Sequence, residues 1–239
     1  MTVIIRPDIV GSEAKGESTE MIVAIDGPAG VGKSTVAKLL ASRLRYLYLD
    51  TGALYRAVAW AVLQNGRDPG DADAVAALLP TLTLQMRFMQ ETVRVSVNEK
   101  DVTGELRTPE VSAAASVVSA IPAVRAWLLP VQRQIGEKGS VVAEGRDIGT
   151  KVFPSASVKF FLDADAAVRA QRRHRELVAA GHGGAIEQTS ADLAGRDSRD
   201  RSRAVAPLVP AEDAHHIDTS ALSAEEVVDR MMAVVAAKL

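Results

Sequence analysis

Apolar and polar positions along this chain follow two patterns that predict different structures. Five short apolar runs, each followed by polar residues, are typical of buried parallel strands. They lie at residues 21–26, 46–50, 140–147, 157–165 and 214–220. After the first run and a glycine-rich loop, residues 33–44 place Val36, Leu39, Leu40 and Leu44 at helical spacing. This order predicts an α/β fold, with a five-stranded parallel sheet covered by helices on both faces.

Residues 82–107 alternate with a period of two instead. "LTLQMRF", "TVRVSVN" and "KDVTGELR" have one apolar and one polar face, as a small antiparallel sheet does. We interpret them as a three-stranded sheet inserted within residues 51–139. Helical patterns follow at 109–121 and after Pro122. A charged helix at 165–179 ends before "GHGG", which predicts a short hinged lid over about residues 169–190.

The composition excludes several classes of function. The 239 residues carry a net charge of -2, so no overall basic field favours nucleic acid. The absence of cysteine excludes disulfides and thiolate catalysis. No apolar run is long enough to span a membrane. We expect a cytoplasmic monomer that binds neither nucleic acid nor membrane, with a disordered tail over residues 1–20 and one folded domain over 21–239.

"GPAGVGKS" matches the phosphate-loop pattern G-x-x-x-x-G-K-[ST], between a predicted strand and a predicted helix. Inward-facing backbone N–H groups and the helix N-terminus would bind phosphate. Lys33 is expected to reach the β- and γ-phosphates, and the Ser34 hydroxyl to ligate Mg²⁺. The alternative is a glycine-rich turn that serves only packing. The predicted ATP-binding residues are Gly27, Pro28, Ala29, Gly30, Val31, Gly32, Lys33, Ser34 and Thr35.

The phosphoryl acceptor is argued from charge. A nucleoside monophosphate brings about two negative charges toward a γ-phosphate, so fixed cations must offset the repulsion. Arginine suits this role because it binds phosphate oxygens bidentately and stays protonated. The candidates are Arg56, Arg125, Arg146, Arg196, Arg199, Arg201 and Arg203. The last four belong to a mixed charge run that is alternatively a solvated helix face, although Arg196, Asp200 and Arg203 share one face at i, i+4 and i+7.

Several segments together resemble the bacterial cytidylate kinases, of the nucleoside monophosphate kinase group. They are "IDGPAGVGKST", "LDTGALYR", "VVAEGRDIGTKVFP", "KFFLDAD", "RDSRDRSRAVAPL" and "IDTS". The resemblance extends from about Met21 to the C-terminus. It implies transfer of the γ-phosphoryl group of ATP to CMP or dCMP in pyrimidine nucleotide metabolism, with Mg²⁺ and a monophosphate-binding insertion.

The resemblance also implies roles for ten acceptor-site positions. They are Arg56 and Arg146 at the CMP phosphate, Ser116, Arg125 and Asp147 at the cytosine edge, Arg196 and Asp200 at the sugar hydroxyls with Arg203 closing the network, and Asp50 and Thr51 as the Asp-Ser/Thr pair after the second strand. No side chain need act as a nucleophile, because Lys33, Arg146 and Arg196 would catalyse by neutralising charge. The charged helix contributes candidate lid cations at Arg169, Arg172 and Arg173, whose alternative is an exposed helix face.

Several alternatives stay open. The carboxylate near Mg²⁺ is Glu144 or Asp163, unless both are cap or turn residues. The acceptor could be UMP, dephospho-coenzyme A or a sugar-like acid. A GTP-hydrolysing switch protein usually carries Asn-Lys-x-Asp, and the near match "NEKD" at residues 98–101 has its lysine displaced. A protein that only binds nucleotide would not need so many arginines.

Overall fold

The computed structural model describes residues 4–6, 21–89, 92–136 and 139–238. The chain divides into two compact units. The first, which we call the core unit, comprises Met21–Asp50 and Gly139–Leu239. The second, which we call the inserted unit, comprises Met1–Glu20 and Thr51–Lys138.

Strands and helices alternate along the core unit, whereas the inserted unit groups its strands together. The strands are β1 (Ile4–Arg6), β2 (Ile22–Asp26), β3 (Leu47–Asp50), β4 (Leu84–Met89), β5 (Thr92–Val97), β6 (Lys100–Asp101), β7 (Val141–Gly145), β8 (Val158–Asp163) and β9 (His215–Asp218). The α-helices are α1 (Lys33–Leu44), α2 (Thr51–Gln64), α3 (Ala72–Leu78), α4 (Pro109–Val118), α5 (Pro122–Gly136), α6 (Ala166–Ala179), α7 (Ile186–Ser202) and α8 (Ala224–Ala236).

The core unit is built on the predicted five-stranded sheet, in the order β3-β7-β2-β8-β9. Every neighbouring pair is parallel, so the prediction of a parallel sheet is confirmed. The central strand β2 places Ala24 opposite Ala143 of β7 and Lys159 of β8. All carboxyl ends of a parallel sheet lie at one edge, and that edge carries the phosphate loop after β2 and the "RD" pair after β7.

One face of this sheet packs against α1 and α8. Ile25 and Phe160 of the sheet meet Leu40 of α1 and Met231 of α8 in a single cluster, with no more than 1% of any of the four side chains exposed. Burying apolar surface of this kind stabilises the fold by about 25 cal/mol for each Å² removed from water. The cluster fixes α1, and with it the end of the phosphate loop, against the sheet.

The inserted unit contains the antiparallel strands β4, β5 and β6, as predicted. A fourth strand, β1, pairs parallel to β4. For Ile4–Arg6, the prediction that residues 1–20 are disordered is therefore wrong. The edge of β4 presents backbone groups that can pair, and the β-branched residues Ile4 and Ile5 favour a strand. Residues 1–3 and 7–20 of that predicted tail lie outside the described residues.

The helices α4 and α5 follow the small sheet, where helical patterns were predicted. Thr108 caps α4 by accepting a hydrogen bond from the N–H of Val111 at 3.3 Å. Among the described residues no single helix is long and apolar enough to cross a membrane, although α4 and α5 meet that criterion together with a bend of 100° between them.

The charge run at the end of α7 includes Arg203, the C-cap of the helix. The last helical residue is Ser202, and the chain leaves the helix at Arg203, which has φ -62° and ψ 139°. Arg203 Nε donates a hydrogen bond to the carbonyl oxygen of Ala206, in the segment that leads to Pro207. The N–H of Arg203 still bonds the carbonyl oxygen of Arg199 at 3.1 Å, and its guanidinium pairs with Asp200 one turn earlier at 3.7 Å, so Arg203 continues the helical face of Arg196 and Asp200.

Candidate active site

The phosphate loop joins the carboxyl end of β2 to the first turn of α1 in the core unit. Gly27 lies so close to β8 that a Cβ atom there would approach the carbonyl oxygen of Leu162 to 2.2 Å. Gly32 is the N-cap of α1 with φ 90°, a left-handed conformation that glycine adopts at no steric cost. The loop therefore ends at a helix N-terminus, where backbone N–H groups and the helix dipole favour an anion.

Lys33, the first residue of α1, is buried with 7% of its surface exposed. Its Nζ atom donates a hydrogen bond to the carbonyl oxygen of Pro28 at 2.6 Å, across the loop. Burial, and then the charges of Arg146 and Arg196, lower the pKa of Lys33 well below its ordinary value, although nearby carboxylates oppose part of the shift. Positive charges are therefore crowded at this loop, and an anion would relieve their repulsion.

Two segments that are distant in sequence meet in the core unit. Arg146 Nε donates a hydrogen bond to Asp200 Oδ2 at 2.8 Å. Arg203 pairs with the other oxygen of Asp200 at 3.7 Å and with Asp147 Oδ1 at 3.4 Å. Burial alone would raise the pKa of Asp200, but the neighbouring arginines, Arg146 first, outweigh burial and lower it. The carboxylate of Asp200 thus holds at least two guanidinium groups in place.

Arg196 belongs to the same group, because it shifts the pKa of both Lys33 and Asp200. The core unit therefore brings together the phosphate-loop lysine and most of the predicted acceptor residues that it contains. These acceptor residues are Arg146, Asp147, Arg196, Asp200 and Arg203.

Glu144, at the end of β7, has 4% of its surface exposed. It accepts a hydrogen bond from the hydroxyl of Tyr48, and Ser34 forms side-chain hydrogen bonds with both residues. Burial and the charge of Asp50 raise the pKa of Glu144. Asp163 is exposed instead, and accepts a hydrogen bond from the N–H of the next residue at 2.9 Å. Of the two carboxylates considered for Mg²⁺, Glu144 is the one beside Ser34.

Of the remaining predicted acceptor residues, Asp50 ends β3 in the core unit, and four belong to the inserted unit. They are Thr51, Arg56, Ser116 and Arg125. Arg125 Nη1 donates a hydrogen bond to the carbonyl oxygen of Ser119 at 3.2 Å, and Ser119 Oγ donates one to the carbonyl oxygen of Ser116 at 3.0 Å. The guanidinium of Arg125 lies 5.4 Å from the centroid of the Tyr55 ring, a cation–π distance. Ser119 thus links the backbone of Ser116 to the guanidinium of Arg125.

The three arginines predicted as lid cations contact different parts of the core unit. Arg169 Nη1 donates a hydrogen bond to the carbonyl oxygen of Ala29, in the phosphate loop, at 3.1 Å. Arg172 Nη2 donates one to the carbonyl oxygen of Thr219, after β9, at 2.7 Å. Arg173 pairs with a glutamate one turn later in α6. A role for these residues as lid cations stays a prediction.

Asp26, immediately before the phosphate loop, is a residue that the sequence analysis missed. Its two carboxylate oxygens accept hydrogen bonds from the N–H groups of Ile148 and Gly149, each at 2.8 Å. Only 4% of Asp26 is exposed. It therefore links the strand that leads into the phosphate loop to the turn that follows Arg146 and Asp147.

Asp26 predicts an unusual dependence of stability on pH. Burial raises its pKa from 3.8 to about 6; hydrogen bonds from Gly149 and Ile148 oppose burial, Asp147 adds to it, and Lys33 opposes it. Between pH 3.8 and about 6 the folded state then holds more protons than the unfolded state. The free energy of unfolding therefore falls as pH rises through that window. Two pKa units correspond to about 3 kcal/mol.

The expected result is that the free energy of unfolding of the native protein, relative to Asp26→Asn, falls by about 2 kcal/mol between pH 4 and pH 7, since a small part of the change lies outside this range. Urea unfolding of both proteins across this range measures the difference. The other groups titrate in both proteins and cancel. A difference that stays constant with pH would contradict a raised pKa for Asp26.

Comparison with known proteins adds independent evidence. The family model for cytidylate kinase matches residues 23–237. The cytidylate kinase of Syntrophotalea carbinolica is 48% identical over 217 residues, which cover 91% of this chain and 92% of that protein. A solved structure of an uncharacterized protein from Eubacterium ventriosum matches with a TM-score of 0.51 and 12% identity, covering 92% of this chain and 99% of that one, which supports the fold alone.

Other relatives are longer. The bifunctional pantoate ligase/cytidylate kinase of Synechococcus elongatus is 50% identical over 216 residues, which cover 88% of this chain but 41% of that protein. This chain thus spans about two fifths of the length of the bifunctional relatives that it matches. Since the family model covers nearly all of the described core and inserted units, the chain belongs to the cytidylate kinase family.

Proposed function

We propose that this protein transfers the γ-phosphoryl group of ATP to CMP or dCMP, giving ADP and CDP or dCDP. The observation that carries the proposal is the gathering of Lys33, Arg146 and Arg196 at the phosphate loop, where the two arginines lower the pKa of the lysine. Two mutually repelling phosphate groups require such fixed cations. The family match supports cytidine as the nucleoside of the acceptor.

The reaction needs positioning and charge neutralisation rather than a protein nucleophile. An oxygen of the acceptor phosphate attacks the γ-phosphorus of ATP in line. The bond from that phosphorus to the β–γ bridging oxygen breaks, and its electron pair leaves with ADP. Lys33 binds the donor phosphates, while Arg146 and Arg196 offset the negative charge of the two groups as they meet.

Base recognition rests on complementary hydrogen-bonding groups. Cytosine presents an N4 amino donor beside the N3 and O2 acceptors. Asp147 can accept a hydrogen bond from N4. In the structure Oδ1 of Asp147 also pairs with the guanidinium group of Arg203 at 3.4 Å. Uracil has an acceptor in place of the amino group, and so would face the carboxylate with the wrong polarity.

The residues beside Lys33 fit a magnesium ion. Mg²⁺ in kinases is bound by hard oxygen ligands, usually with substrate phosphates completing its coordination. Ser34 would bind the ion directly. The buried carboxylate of Glu144 is hydrogen-bonded to Ser34 and Tyr48, so it would orient the Ser34 hydroxyl towards the ion. When bound, Mg²⁺ neutralises charge on the β- and γ-phosphates. The side chains themselves hold Ser34 in position.

Replacing Glu144 by glutamine is expected to raise the Mg²⁺ concentration needed for half-maximal activity by about 10- to 100-fold, because partners of metal ligands contribute on that scale. Glutamine keeps the shape and the acceptor oxygen for Tyr48 but removes the charge. Calorimetric titration of ATP with and without Mg²⁺ provides a second readout, in which only the metal-dependent part of the affinity should fall.

Asp163→Asn is the matched control. It neutralises an exposed carboxylate that the sequence offered, beside Glu144, as the candidate near Mg²⁺. Its Mg²⁺ requirement is expected to equal that of the native protein. The reverse result, with Asp163→Asn impaired and Glu144→Gln unchanged, would show that the wrong carboxylate has been chosen.

A coupled assay of ATP consumption with CMP, dCMP, UMP, AMP and shikimate tests the proposed function. CMP and dCMP should be phosphorylated with kcat/KM at least about 100-fold above that of the others, since a site with directional hydrogen bonds rejects mismatched groups strongly. A preference for AMP, UMP or shikimate would overturn the choice of acceptor. Nucleotide hydrolysis that no acceptor stimulates would favour the switch-protein alternative.

The structure provides an argument against that alternative. The near match "NEKD" lies at the turn between β5 and β6, in the inserted unit. Asn98 there accepts a hydrogen bond from the N–H of Thr83 at 2.7 Å, so it has a structural role in closing the turn. We further propose that the protein acts in the cytoplasm as a monomer, without nucleic acid or membrane.

A further inference from the structure

A second buried ion pair joins the phosphate loop to α6 and α7. Asp197 of α7 has 4% of its surface exposed. Its Oδ1 atom accepts a hydrogen bond from the N–H of Ala29 at 3.4 Å, and its Oδ2 atom accepts one from Arg169 Nη1 at 2.5 Å. The sequence analysis included Arg169 but not Asp197.

Arg169 donates hydrogen bonds to two backbone oxygens as well as to Asp197. The same Nη1 atom donates to the carbonyl oxygen of Ala29 at 3.1 Å, and Nε donates to the carbonyl oxygen of Ala164 at 3.1 Å. Both backbone polar groups of Ala29 are therefore bonded to this pair. Ala29 also packs against Ala170 of α6 and Leu193 of α7 in a small buried cluster. The third residue of the phosphate loop is thus fixed to both helices.

Asp197 lies next to Arg196 and one turn before Asp200 along α7. The helix that Asp197 attaches to the phosphate loop is therefore the helix that carries two acceptor-site residues. A displacement of the loop would be transmitted to those residues through a buried, charged contact, which has few alternative arrangements of similar energy.

We propose that Asp197 is a positioning residue that couples the donor phosphate loop to the acceptor residues on α7, so that binding of the donor nucleotide strengthens binding of CMP. This inference rests on the proposed function. Ordering of the loop by the donor also orders α7, and the second ligand then loses less freedom on binding. Because coupling between two binding sites is reciprocal, CMP must strengthen donor binding by the same factor.

Calorimetric titration measures this coupling in the full-length protein. CMP is titrated with and without a saturating ATP analogue that has a nitrogen bridge between the β- and γ-phosphates. The affinity of the native protein for CMP is expected to rise at least about fivefold with the analogue. In Asp197→Asn the factor should approach one, because the amide has a single acceptor oxygen for the two donors, Ala29 N–H and Arg169, and lacks the charge that pairs with Arg169.

Asp192→Asn is the matched control, since it neutralises an exposed carboxylate one to two turns earlier on the same helix. It should keep the full coupling factor. A merely structural role for Asp197 would lower the thermal midpoint and leave the factor unchanged. Should Asp197→Asn not fold, Arg169→Lys tests the contact from the other side, because lysine cannot bond Asp197, Ala29 and Ala164 together.

Each outcome has a distinct meaning. A native coupling factor of one, or a full factor in a folded Asp197→Asn or Arg169→Lys protein, would overturn the inference while leaving CMP phosphorylation intact. A native protein that neither binds nor phosphorylates CMP would overturn the proposed function, and this inference with it. A double-mutant cycle adds a last check, since the effects of Asp197→Asn and Arg169→Lys should be strongly non-additive if they break one contact.

Discussion

Replacing Lys33 by alanine is expected to lower kcat/KM for CMP phosphorylation by about 10²- to 10³-fold, the range found when one preorganised charge-stabilising donor is removed. The ammonium group is buried beside the carbonyl oxygen of Pro28, at 2.6 Å, and no other lysine belongs to the described phosphate loop and first turn of α1. Water cannot replace a fixed cation there without reorganising as charge develops.

The same substitution should leave the fold intact or stabilise it slightly. Burial and two arginine charges lower the pKa of Lys33, so the folded state loses stability by keeping that group charged. Lys238→Ala, which removes an exposed lysine near the C-terminus, is the control and should have native activity. Activity within about threefold of native in a folded Lys33→Ala protein would remove the basis for assigning the loop to catalysis.

Local patterns predicted the phosphate loop and the sheet because both are determined by short segments. A strand, a glycine loop and a helix follow one another within 24 residues, and the Gly27 and Gly32 conformations are required by the backbone itself. The five apolar runs likewise predict buried parallel strands without knowledge of their neighbours. No single apolar run predicts the strand order β3-β7-β2-β8-β9, because that order depends on the path of the chain between the strands.

The candidate site was predicted in part through resemblance and could not be completed from residue patterns. Asp26, Tyr48 and Asp197 resemble ordinary polar positions at strand ends or in a charged helix. Each acquires its role from a residue more than 90 positions away: Asp26 from Ile148, Tyr48 from Glu144, and Asp197 from Ala29. A position at the end of a buried strand, the signal that identified Glu144, could also have identified Asp26, whereas Asp197 carries no such signal.

The strand β1 shows why one pattern gave a wrong prediction. The polar residues 11–20 predicted a disordered tail over residues 1–20, whereas the pairing of Ile4–Arg6 with β4 depends on the edge of another strand. Contacts distant in sequence outweigh the local pattern there.

Replacing Arg146 by glutamine is expected to lower kcat/KM for CMP by about 10²- to 10³-fold, with the larger part of the loss in kcat. Arg146 Nε bonds Asp200 at 2.8 Å, and its charge acts on Lys33. Its loss leaves the buried Asp200 with weaker compensation, since Arg203 stands 3.7 Å from the other oxygen. The phosphoryl group would therefore lose one cation directly and a second through the disturbed network.

Arg146→Lys separates charge from geometry in this network. Lysine keeps the positive charge but cannot bond Asp200 and a phosphate group with one planar fork, so we expect it to recover only part of the loss. Arg230→Gln, at an exposed position of α8, controls for the change in net charge and should have native kinetics. If Arg146→Gln raised KM for CMP with kcat unchanged, Arg146 would contribute equally to ground-state and transition-state binding, and charge neutralisation during transfer would have to come from Lys33 and Arg196 alone.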